Sequence, residues 1–191
     1  MTALRLLRRE VVTIVGITGS NILSDKVADA VKFTKAFWLR LMGGQRSGLI
    51  KMIIDRFQTK GLNYKGEPFA GYSEKYAEAK AAGDKVKLGI VGQPQASRST
   101  KPDMTLTGVL YRGLRPQTAD DSSGTFGWEG PNAAKVESLH GRKNYQIIGL
   151  DGDKVLADEE EQFIVDEMEK QIGKKIDVWA SKTVGISIGR K

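Results

Sequence analysis

The chain has no cysteine, one histidine, five prolines and no long hydrophobic run, and each shortage removes a class of answers. Without thiols there are no disulfides, no thiolate nucleophile and no sulfur ligands for a metal, which fits folding in a reducing cytoplasm. With His140 as the lone imidazole, a zinc centre is close to excluded. Arg, Lys or Asp interrupts every apolar stretch before the ~20 residues needed to cross a bilayer, so the expectation is a soluble protein with no membrane partner. Residues 1–9 are basic and apolar, but no small-residue cleavage site follows a hydrophobic region, and they do not read as a signal peptide.

What remains is a chain of 191 residues, 40% hydrophobic and 28% charged, the balance of a globular protein with one domain and its own core. Its charge is unevenly placed. Residues 1–60 carry a net +7, residues 61–117 a net +4 and residues 118–191 a net −4. Such polarity suits identical subunits stacking head to tail, or a surface that meets DNA phosphates; solvated helix faces give the same pattern.

Residues 11–22 are β-branched and broken by Gly16 and Gly19, so residues 1–22 read as an extended arm or a short strand. From Ser24, Val27, Val31, Thr34, Trp38 and Leu41 recur at helical spacing until Gly43-Gly44. A second helix is predicted over about 47–59, with Ile50, Ile53, Ile54 and Phe57 on one stripe and Gly61 as the stop. A Gly-rich loop to Tyr72 leads into a short helix capped by Ser73 and ended by Gly83. The polar, turn-rich stretch 89–102 is expected to be a mobile or partner-ordered loop.

Leu106, Val109, Leu110 and Leu114 form the stripe of a further short helix, in which Gly113 lets another element approach closely. A hairpin follows, with strands at 114–118 and 125–128 around the Asp120-Asp121-Ser122-Ser123-Gly124 turn, then a brief helical turn at 133–139. A final helix runs from Asp158 to Ile172, with four acids at its positive end, Phe163, Ile164, Met168 and Ile172 toward the core, and Gly173 as its stop. The C-terminal tail, 174–191, is β-prone over Ile176 to Ile188 and could add an edge strand, to this sheet or to that of a neighbouring subunit. The predicted fold class is α+β: N-terminal amphipathic helices and a small antiparallel sheet flanked by a C-terminal helix.

Candidate chemistry is sparse. Asp151-Gly-Asp153 starts like a calcium loop, but the later oxygen ligands do not follow. Gly16-Ile-Thr-Gly19 lacks the Lys-Ser/Thr ending of a phosphate loop, and no Gly-x-Ser-x-Gly elbow accompanies His140. The four acids at 158–161 satisfy a helix dipole without a catalytic role. No enzyme activity and no cofactor are therefore expected. Arg5, Arg8, Arg9, Lys32, Lys35, Arg40 and Arg46, with Lys51 and Arg56 beyond them, form a basic third that could contact DNA or a partner through non-specific backbone binding.

The order of short motifs carries a resemblance. Gly66-Glu67-Pro68-Phe69 leads into Tyr72-Ser73 and a helix reaching Lys80, followed by Leu106-Thr107-Gly108-Val109-Leu110. The Gly124–Trp128 strand, Ser138-Leu139-His140-Gly141-Arg142 and Ile147-Ile148-Gly149-Leu150 then precede the acidic helix. Over roughly residues 45–172 this order resembles the virion-morphogenesis or tail-completion family of tailed bacteriophages. Two departures are Phe69, where the family more often has Trp, and Arg142-Lys143-Asn144-Tyr145, where it usually has Ala-Arg-Pro-Phe.

The resemblance implies a non-enzymatic structural subunit of the head–tail junction, either a tail terminator or a neck or head-closure component. It implies a homo-oligomeric ring, expected to be a hexamer, located in the virion. Its partners would be neighbouring neck, connector or tail-tube proteins, with double-stranded DNA in the lumen. The residue-level alternative is a basic, non-specific DNA-binding accessory protein.

Overall fold

The computed structural model describes residues 13–18, 33–105, 107–140, 142, 145–149 and 155–185. The fold is α+β, as the residue patterns predict. Helix α1, Lys35–Met42, opens where Thr34 turns extended and its hydroxyl accepts the Phe37 N–H at 3.2 Å, satisfying one of the donors a helix start leaves free. Thr34 was expected on the apolar stripe and is instead the cap; the predicted stretch from Ser24 to Lys32 lies outside the described residues. Phe37, Trp38, Leu41 and Met42 are buried, and Gly43 ends the helix. Its φ is 63°, and a Cβ there would lie 2.2 Å from the Ser47 carbonyl oxygen, so only glycine closes this turn.

Helix α2, Gly48–Asp55, continues as a π-helical segment, Arg56–Lys60, and stops at Gly61. Every member of its predicted stripe is buried: Ile50, Ile53, Ile54 and Phe57. Helix α3, Glu74–Ala82, begins after Ser73, which makes no side-chain cap bond, and ends at Gly83. Residues 89–102 hold no helix or strand, and Gln95 Nε2 ties them down by donating to the carbonyls of Lys80 and Ser97 at 2.7 and 2.8 Å.

Helix α4, Val109–Gly113, starts after Gly108 instead of running through it; Leu106 lies outside the described residues. The predicted hairpin is present as β2, Arg115–Ala119, and β3, Ser123–Trp128. Asp120 Oδ1 accepts the N–H groups of Ser122 and Ser123 at 2.7 and 2.8 Å, which closes the turn. Hydrogen bonds from the Ser122 hydroxyl and from these backbone groups hold the Asp120 carboxyl below its usual range.

Strand β1, Thr13–Thr18, pairs antiparallel with β3, Thr13 opposite Trp128 and Thr18 opposite Ser123, giving the sheet order β1-β3-β2. Of the two readings of this segment, a short strand or an extended arm, the strand is present over Thr13–Thr18, where β1 supplies the third strand of the sheet. Pro116 sits on the edge strand β2, where its missing N–H leaves the central ladder intact, and a register shift follows it.

Helix α5, Pro131–His140, is longer than the brief turn expected. Gly113 allows the predicted close approach: a Cβ there would meet Asn132 Nδ2 at 2.7 Å and Trp128 Cδ1 at 3.3 Å. Helix α6, Asp158–Gly185, runs through Gly173. The sequence reading placed its end at that glycine and a β-prone strand beyond it; instead 174–185 is helical. The reason is magnitude, since an interior glycine costs only about 1 kcal/mol and does not force a stop.

Trp38, Met42, Ile50, Phe57, Phe126, Trp128, Val136, Ile147, Leu156, Ile164 and Met168 join one core cluster between the helices and the sheet. Each large apolar side chain so buried contributes roughly 1.5–3 kcal/mol. Among the described residues no helix is long and apolar enough to cross a membrane.

Candidate functional site

Charged groups that leave water mark the places where this fold is most constrained, and two such clusters stand out. The first is built on α3. Lys80, fully buried among alanines, donates from Nζ to Asp103 Oδ1 at 2.5 Å and to the Tyr72 hydroxyl at 3.3 Å. The Asp103 carboxylate also accepts from the Tyr72 hydroxyl (3.1 Å), the Ser97 hydroxyl (2.5 Å) and the Thr105 N–H (3.0 Å). A buried ion pair is tolerable only when its remaining lone pairs and protons are matched, and four donors converge on this carboxylate.

Burial pushes the Tyr72 phenol up to about 12, with the Asp103 charge adding to the rise, so it stays protonated and able to donate at neutral pH. Burial, and then the neighbouring Tyr72, also raises Tyr76. Met104, next to Asp103, has φ 51°, a left-handed conformation that an unbranched side chain tolerates at a cost of order 1 kcal/mol or more. Its neighbours' bonds to Asp103 hold it there.

Above this cluster lies a pocket of about 650 Å³. Tyr72, Met104 and Thr105 form part of its lining, Tyr76 and Tyr145 add two more phenols, and α5 with the residue beyond it contributes Lys135, Ser138, Leu139 and Arg142. Tyr145 is fixed by stacking on Phe69, centroids 6.0 Å apart, and by donating to the Ala70 carbonyl at 2.8 Å. Lys135 and Arg142 are the charged lining residues, and no carboxylate lines the pocket. Lys80 and Asp103 are engaged with each other, so the cluster serves as a rigid support under this surface.

The second cluster joins α2 to α6. Arg56 donates from Nε to Glu160 Oε1 at 2.6 Å and from Nη2 to Glu160 Oε2 at 3.3 Å, and it also reaches the carbonyls of Ile147 (2.7 Å) and Leu62 (3.2 Å). Glu160 Oε2 accepts the Ala157 N–H at 3.0 Å, so one carboxylate both caps the helix start and neutralises the guanidinium. The sequence reading treated the acids at 158–161 alike. Glu160 is buried, whereas Glu159 is exposed and pairs with Lys60 at 3.0 Å.

Arg5, Arg8, Arg9 and Lys32 lie outside the described residues, as do Asp151 and Asp153. Lys35 is exposed at the start of α1, where its backbone N–H donates to Asp121 at 3.3 Å. Arg40 is exposed over the Phe37 ring, 5.7 Å from its centroid, and Arg46 is exposed in the α1–α2 turn. Of the two basic residues beyond them, Lys51 stays at the surface in a pair with Asp55, and Arg56 is interior.

The structure does not bring Lys35, Arg40 or Arg46 to the 650 Å³ pocket; Arg46 lines a separate recess of about 450 Å³ with Gln58 and Tyr111. The Lys80–Asp103 pair is not legible in the sequence, because the two residues are 23 positions apart and the motif that contains Lys80 does not extend to Asp103. Among the described residues no group of three or more His, Asp or Glu is placed to hold a metal. Compared with known proteins, the chain matches no family model, no curated protein and no solved structure.

Proposed function

We propose that this chain is a non-enzymatic structural subunit of the tailed-phage head–tail junction, a tail-completion, terminator or neck component that forms a ring in the virion, a hexamer by the resemblance. One observation carries the reading: the motifs behind the resemblance supply the scaffold itself. Phe69, Ile147 and Ile148 are core residues, Tyr72 and Lys80 belong to a buried polar cluster, and the hairpin supplies Phe126 and Trp128. Such side chains preserve a shape, which is what a subunit fitted between neighbouring rings needs.

Purified protein examined by negative-stain electron microscopy and mass photometry is expected to give closed rings of uniform subunit number. A monomer at tens of micromolar, with no particle association in infected cells, would overturn the proposal.

A second reading, a DNA-binding accessory protein, is favoured by the exposure of Lys35, Arg40 and Arg46, none of which makes an ion pair with a described residue. In the ring reading these cations contact DNA in the lumen. Affinity for duplex DNA measured against salt separates the two: tight binding by the monomer with a steep log–log slope supports the accessory protein, and weak binding that appears only with assembly supports the ring.

A further inference from the structure

We propose that the pocket beside α5 docks the exposed acidic face of α6 from a second copy of this chain, an assignment that rests on the ring reading and names the two surfaces that close it. Lys135, Ser138, Leu139 and Arg142 follow one another at the spacing of a single helix face, and all four line the pocket. The Arg142 N–H bonds the Leu139 carbonyl at 3.0 Å, which keeps this residue in line just past the helix end. Neither Lys135 nor Arg142 makes an ion pair with a described residue. Two cations therefore line the same pocket as the half-buried phenols of Tyr76 and Tyr145, with no carboxylate among the lining residues to answer them.

The complementary surface is on the same chain. Residues 158–169 contain seven acids and no base, and Glu159, Gln162, Asp166 and Glu169 are exposed at positions that share one face of α6, Glu159 there in an exposed, water-screened pair with Lys60. Gln162 donates to Asp166 at 2.7 Å, so this face is partly ordered in the free subunit. Lys135 and Arg142 are seven residues apart in sequence, as are the two acids Glu159 and Asp166. On α6 seven helical residues span about 10.5 Å, so Glu159 and Asp166 present two negative charges one above the other to a pocket that carries two positive ones.

The surfaces differ, which makes the contact heterologous, and a heterologous contact gives a ring when the rotation between successive copies closes on itself, as the ring reading requires. Tyrosine-lined pockets with a charged rim are favoured at protein interfaces, and opposite charges set the register. The basic partner of the acidic C-terminal region is thereby the α5 surface and not the N-terminal basic third.

Paired charge reversals test this. Lys135→Glu/Arg142→Glu alone and Asp166→Lys/Glu169→Lys alone are each expected to weaken self-association at least about tenfold, because each puts like charges across the contact. An equimolar mixture of the two variants is expected to recover it, since the reversed pocket of one meets the reversed helix of the other in alternation. Sedimentation velocity reads association, and circular dichroism confirms that each variant folds.

Wild-type association in both single variants, or failure of the mixture to recover, overturns the docking assignment while leaving the ring in place. A wild-type chain that never associates overturns the ring reading and this assignment with it.

Discussion

The two buried ion pairs are alike in chemistry and opposite in position. Arg56–Glu160 ties elements 104 residues apart and ends on the backbone of both, taking the Ile147 and Leu62 carbonyls and the Ala157 N–H. Lys80–Asp103 spans 23 residues, and its outer members, Tyr72 and Thr105, are part of the pocket wall. One pair staples the core together. The other supports a surface. A buried pair of the first kind controls global stability, whereas one of the second kind also sets the shape available to a partner.

The largest expected effect is at the staple. Glu160→Ala leaves a guanidinium in the core, where Arg56 is 5% exposed, and should lower stability by about 3–5 kcal/mol in chemical denaturation. The double variant Arg56→Met/Glu160→Leu removes both charges and should cost less than the two single changes added together. It should still fall below wild type, because the Ile147 carbonyl and the Ala157 N–H lose their partners. Additive losses would mean that the two side chains are not coupled.

Lys80→Met should cost less, about 2–3 kcal/mol, because Asp103 keeps the Tyr72, Ser97 and Thr105 donors and its side chain retains 10% exposure. Its second consequence separates the two clusters. Amide exchange at residues 103–107 should quicken in Lys80→Met and remain at the wild-type rate in the Arg56/Glu160 double variant. Equal quickening in both would erase the distinction between staple and support.

A smaller effect falls on Tyr72, whose phenol rises from 10.0 to about 12 on folding. The folded state then holds the proton more tightly, so the stability this gives is complete below pH 10 and is lost as pH climbs from 10 toward 12. Tyr72→Phe should cost about 1–2 kcal/mol at neutral pH and flatten that alkaline decline. The decline that persists belongs in part to Tyr76, also raised. An unchanged alkaline slope in Tyr72→Phe would remove the phenol from the account.

How much of this was legible in the sequence depends on the range of the interactions. The α2 stripe, the hairpin with its Asp120 turn and the close approach at Gly113 follow from spacing and local turn chemistry, and each is present. Strand β1 could be read as β-prone but not as paired, since its partner β3 lies more than 100 residues away. Gly173 misled because local propensity stops a helix only when nothing else holds it. Of the site, the separate residues could be read but not their meeting. Tyr72 with Lys80, Asp103 and Arg142 come from three separate stretches, and only the fold distinguishes Glu160 from the exposed acid beside it.

The weakest effect expected sharpens the comparison from the other side. Arg115 and Glu129 meet at 2.5 Å across the hairpin end, as short as Lys80–Asp103, yet their side chains are 62% and 47% exposed. Water screens such a pair and its geometry must be held against side-chain entropy, so a double-mutant cycle with Arg115→Ala and Glu129→Ala should return about 0.2–1 kcal/mol. Raising the ionic strength should reduce even that, because exposed charges are screened over about a Debye length. A coupling near that of the buried pairs would mean that distance alone ranks these bridges. A small, salt-sensitive value would mean that burial ranks them, and that the acidic and basic groups left exposed contribute little to folding and remain available for contacts between subunits.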